Sequence, residues 1–147
     1  MQIVRDDARN DMNLSADARL TAGVLLLTIL AVEFGGTYML RIVRGGVAVT
    51  PFQLAFARAG HAHAGVLVIL GLVVQPFADA AGLTGAAGWA ARSAIPLAAI
   101  LMSAGFFLAA AGSGRTRARP AGIGLVAAGA VSLAAGAGTL GLALLLA

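Results

Sequence analysis

The chain has 147 residues, of which 60% are hydrophobic and only 11% charged, where an ordinary globular domain carries about 25% charged residues. So few charges cannot clothe a soluble core, and the composition points to an integral membrane protein of one domain. The formal net charge of +4 comes from arginine alone, because lysine is absent; no basic face interleaved with aromatics accompanies it, which excludes a nucleic-acid reader.

Cysteine is also absent, so disulfides, thiol redox chemistry and thiolate metal sites are excluded. Residues 1–19 are polar and read as an N-terminal tail, with no small-residue cleavage site after a short apolar core. Ser15 suits a helix N-cap, with Asp17 in the positive first turn.

The remainder, residues 20–147, reads as an all-α, polytopic transmembrane four-helix bundle. A bilayer needs roughly 20 apolar residues per helix, and four stretches meet that need. The first span covers about 20–43, broken only by Glu33 and the pair Gly35-Gly36, with Tyr38 as an interfacial aromatic and Arg41 and Arg44 beyond it.

Gly45-Gly46 ends that helix. Thr50-Pro51-Phe52-Gln53 is a strong helix start: Thr at N-cap, Pro at the first helical position and Gln at N3. The second span therefore runs over 51–75, to the helix-breaking Gln75-Pro76. Its length of 25 residues is about 37 Å, which sinks His61 and His63 to mid-membrane. The alternative is an interfacial helix over 51–59 with the span starting at Gly60.

A Gly- and Ala-rich connection over 80–92 holds Trp89 as an interface anchor. The third span covers 94–111, with Ser93 as cap and Pro96 in its first turn, where a missing N–H costs little. A basic turn over 112–120 leads to the fourth span, 121–146, which carries no charge. The loops after spans one and three hold Arg41, Arg44, Arg115, Arg117 and Arg119, plus Arg58 if exposed; the other side has Arg5, Arg9, Arg19 and Arg92. The positive-inside rule then places loops one and three in the cytoplasm and both termini outside.

Ionisable groups within a membrane helix are rare and point to function. Glu33, Arg58 and His61 lie at similar distances from the first loop, so a Glu33–Arg58–His61 cluster between spans one and two is expected, with His63 at the same depth. It would bind a cofactor or simply fix helix packing. Arg58 and His61, three residues apart, share a helix face. His61 and His63, about 200° apart, cannot both ligate one metal from a regular helix, so a haem or divalent-metal site on them would need a local distortion or a second copy. Gly124, Ala128, Ser132 and Gly136 form a small-residue stripe suited to homodimerisation, to a larger complex, or to packing within the chain. Nothing resembles a nucleotide loop, a Ser-His-Asp set or paired carboxylates, so the reading leans away from an enzyme.

Two local resemblances and one global one follow from these residues. Arg58-x-x-His61-Ala62-His63 resembles the second helix of haem-copper oxidases and nitric oxide reductases, where an Arg/His-bearing helix supplies a haem axial ligand. The resemblance implies His61 as that ligand, without oxidase activity, since the histidine-rich helices of the metal centre are absent. Leu27 to Thr37 resembles the first helix of small multidrug resistance transporters, in which one membrane-embedded Glu exchanges protons for cationic drugs within a four-span dimer. That implies the same role for Glu33, although the third span lacks the family's aromatic and Gly-rich signature. As a whole the chain resembles uncharacterised four-span membrane proteins of Ala/Arg-rich bacterial proteomes. Three functions are therefore expected in turn: a haem- or metal-binding accessory protein, a proton-coupled transporter using Glu33, and a structural or assembly subunit.

Overall fold

A computed structural model describes residues 14–147. Four helices follow one another: α1 (Ala16–Val43), α2 (Pro51–Ala80), α3 (Gly85–Ala110) and α4 (Pro120–Leu146). All four are long and apolar enough to cross a membrane. The shortest, α3, has 26 residues, about 39 Å against a hydrocarbon core of about 30 Å.

The helix starts follow local chemistry. The Ser15 side chain accepts from the Ala18 N–H at 3.2 Å, so α1 begins at Ala16 and takes up the last residues of the expected tail. Residues 1–13 of that tail, with Arg5 and Arg9, lie outside the described residues. At α2 the capping box is complete: the Thr50 hydroxyl accepts from the Gln53 N–H at 3.1 Å and the Gln53 side chain accepts from the Thr50 N–H at 3.2 Å. From there α2 is continuous through Gly60 and both histidines.

Two further boundaries differ from the sequence reading, both around proline. The second helix runs past Pro76 to Ala80, and the third begins at Gly85 rather than at residue 94. The Gly/Ala-rich run that resembled a connection is helix, as alanine's high helix propensity permits. Pro96 therefore stands inside α3, where it frees the carbonyl of Arg92. Gln75 meets that loss: its Nε2 donates to Arg92 O at 3.1 Å and to Gly71 O at 2.8 Å. Neighbouring side chains of this kind let membrane helices tolerate proline.

The helices pack mainly in chain order. Among the described residues α3 lies between α2 and α4, α1 lies against α2, and α1 and α4 do not touch. The bundle is thus an open row of helices. Its core comprises Leu25, Leu67, Val68, Ala98, Ala99 and Met102, continued by Val74, Ala78, Ala91, Ile95 and Leu140.

The α3–α4 seam is built on glycines seven apart. Gly122 lies on Ala109 and Gly129 on Met102, each with no room for a Cβ, and a Cβ on Gly136 would stand 3.0 Å from that of Ala94. The expected stripe splits instead. Ser132 donates to Ala94 O at 2.7 Å and Gly136 is buried, but Gly124 and Ala128 are exposed. The reason is angular: a four-residue step overshoots a full turn by about 40°, whereas seven residues fall only about 20° short of two turns.

Candidate functional site

Where α1 meets α2, the contacts set an antiparallel register. A Cβ on Gly36 would lie 3.6 Å from the His61 ring, and one on Gly71 would lie 3.1 Å from Leu25. Residue pairs whose numbers sum to about 96 therefore face one another. In that register Glu33 lies level with residue 63, and Arg58 level with residue 38. At 1.5 Å per residue the two charges stand about 8 Å apart along the helices.

The buried Glu33–Arg58–His61 cluster is accordingly not formed within the chain. Glu33 and Arg58 are both exposed, and His61 is half-buried against Gly35-Gly36. Glu33 and His61 do lie within a turn of the same depth, but Glu33 faces outward, and Val43, the end of α1, lies level with residue 53 rather than with Pro51, which leaves Arg58 nearer the loop than Glu33.

The two histidines diverge, as helix geometry requires. His63 turns toward α3, its ring 4.8 Å from that of Phe106. Its Nδ1 lies 2.7 Å from Ala59 O; a carbonyl only accepts, so this nitrogen carries the proton of that hydrogen bond. No group of three His, Cys, Asp or Glu capable of holding a metal occurs among the described residues.

The polar centre of the molecule is elsewhere, where the start of α1, the end of α2 and the start of α3 converge. Arg92 Nη2 lies 2.6 Å from Asp79 Oδ1, the single ion pair among the described residues. The other Asp79 oxygen accepts from the Ser15 N–H at 2.8 Å. Arg92 Nη1 donates to Leu83 O at 3.0 Å and Gly88 O at 3.2 Å. Only glycine suits position 88, where a Cβ would lie 2.6 Å from Leu83 O. Gln75, fully buried, joins through Arg92 O, while its Oε1 and Arg92 Nε have no protein partner.

Both Asp79 oxygens are engaged, which suits joining helices better than taking a proton. Beside the network opens a cleft of about 630 Å³, lined by Asp17, Thr21, Trp89 and Ser93 among others. Asp79 and Arg92 bracket the expected connection, so their opposite charges were the signal that could have revealed the pair. Reading 80–92 as a loop hid it, because only a helical start to α3 aims Arg92 back at Asp79.

No protein-family model, curated protein or solved structure matches the chain.

Proposed function

We propose that the chain is a multi-pass membrane protein that serves as an assembly subunit, presenting the outer face of α1 to a membrane helix of a partner. The carrying observation is Glu33, exposed and without an ion-pair partner among the described residues. It lies in the series Leu26, Leu30, Glu33, Thr37 and Leu40, alternately four and three residues apart and exposed throughout. That spacing is the seam of a helix pair, and a polar residue within such a seam sets its register; the other polar member, Thr37, is already bonded to Phe34 O at 2.6 Å.

An acidic group facing lipid costs about 2.5–3.5 kcal/mol. The occupant that removes this cost is an apolar helix carrying one cationic or hydrogen-bond-donating side chain at the depth of Glu33. In gently solubilised membranes the wild-type protein should migrate as a complex larger than the single chain, and Glu33→Leu should release the chain from it. A complex that survives both Glu33→Leu and Leu30→Trp would overturn the reading. Arg58 of a second copy is one donor; differently tagged copies that co-purify would identify it.

A second reading has its own observation. With Nδ1 held by Ala59 O, His63 has the tautomer and orientation typical of a metal-ligating histidine. His63, with a second copy completing the site, would then hold a haem or a divalent metal; His61 points to α1 and cannot join it. Protein from haem-replete cells should show a Soret band that His63→Ala removes; no band and no bound metal would refute it.

A further inference from the structure

The last residue of loop one and the first turn of α2 are bonded to the basic loop between α3 and α4. The hydroxyl of Thr50 donates to Arg115 O. Gln53 Nε2 donates to Ala110 O at 3.0 Å and Gly112 O at 2.6 Å, and Arg119 N–H closes the turn on Ala109 O at 2.9 Å. The start of α2 thus clamps the α3–α4 turn in one conformation. Gly112 and Gly114, both in the left-handed region at φ 111° and 62°, let the chain bend back so sharply.

This fold gathers positive charge. A Cβ on Gly112 would lie 3.1 Å from Arg119 Nη2 and 3.6 Å from Arg115 Cδ, so the Arg119 guanidinium and the Arg115 stem flank one glycine, while Arg115 Nε donates to Arg117 O at 3.3 Å and leaves the Nη atoms of that fork free of protein hydrogen bonds among the described residues. Arg117 stands between them in the chain, and Arg41 and Arg44 close α1 at the same end of the bundle. After Glu33 the sequence contains one further acid, Asp79, at the opposite end. Like charges held together without a counter-ion repel, and only an anion turns that arrangement into a favourable one.

We infer that the Arg115–Arg119 turn is a binding site for a phosphate group, borne by the headgroup of an anionic phospholipid. Guanidinium forks match phosphate oxygens two at a time. The inference rests on the membrane reading, which sets the turn at headgroup height, where basic residues attract anionic lipid.

The test uses the full chain in detergent micelles, titrated with phosphatidylglycerol or phosphatidylcholine and read by native mass spectrometry. Phosphatidylglycerol should be retained preferentially. Arg115→Gln with Arg119→Gln should weaken that retention about thirtyfold, while Arg19→Gln, at the other end, should leave it unchanged. Arg115→Lys with Arg119→Lys should fall between, because charge remains but the fork is lost. Equal retention of the two lipids, or an equal loss in Arg19→Gln, overturns the site. Competition by inorganic phosphate with no lipid preference would assign it to a soluble phosphate compound and overturn the lipid source. Circular dichroism checks that each variant folds. Carbonate extraction tests membrane insertion separately, so its failure is distinguishable from failure of the site.

Discussion

Two acid–arginine pairs have opposite fates in this molecule. Asp79 and Arg92 meet at 2.6 Å; Glu33 and Arg58 stand apart and exposed. The first pair flanks a tight turn, residues 81–84 between α2 and α3, so the turn itself fixes their relative height. The second pair is separated by the upper part of α1, a non-helical link and the first turns of α2. Its register is decided by helix packing, in which His61 settles on Gly35-Gly36 and Leu25 on Gly71. Complementary charge therefore predicts a contact only where the intervening chain leaves no freedom of register.

The sharpest test of this contrast is at Arg92. Its side chain is 12% exposed and that of Asp79 is 20% exposed, and removing one partner of such a pair costs about 3–5 kcal/mol. Arg92→Leu should lower unfolding stability in micelles by that order. Adding Asp79→Leu should restore part of the loss, because no unpaired charge then remains. A fully additive double variant would break the comparison.

A smaller effect is expected on the α3–α4 seam. Gly129→Ala forces a methyl against Met102 and should cost about 1–3 kcal/mol. Gly124→Ala, facing open space, should instead be neutral or stabilise the helix by up to about 1 kcal/mol. Thermal unfolding of the two variants side by side decides whether the seven-residue glycine spacing governs this contact.

The smallest expected effect is at the separated pair. Glu33→Gln and Arg58→Gln should each change the stability of the isolated chain by less than about 0.5 kcal/mol, and a double-mutant cycle should give a coupling energy near zero. Coupling comparable to that of Asp79 and Arg92 would mean that the two charges find each other within one chain.

Much of the architecture was legible from residues alone. Hydropathy located the four helices, and Ser15 and the Thr50-Pro51-Gln53 signature placed two starts, because capping is decided by neighbours within one turn. The divergence of His61 and His63 was equally readable, since two residues on one helix have a known angle between them. The early start of α3 was not, because hydropathy distinguishes poorly between an Ala/Gly-rich helix and a loop. The Asp79–Arg92 network and the role of Gln75 were hidden behind that boundary. The glycines of α4 were visible in number, but which of them meet α3 depends on drift around the helix over several turns.

The attachment of α1 has a mechanical consequence. Its one hydrogen bond to α2 among the described residues is at its very beginning, from Ser15 N–H to Asp79; along the rest of its length no hydrogen bond joins it to its neighbour. Further along, α1 is held by packing alone, Leu25 against Gly71 and Gly35-Gly36 against the His61 ring. With 28 residues it is about 42 Å long, so a tilt of about 5° at Ser15 carries the far end sideways by about 4 Å. A tilt that slides these apolar contacts, which lack directional bonds, would therefore be largest at Arg41 and Arg44, at the opposite end of α1 from Ser15.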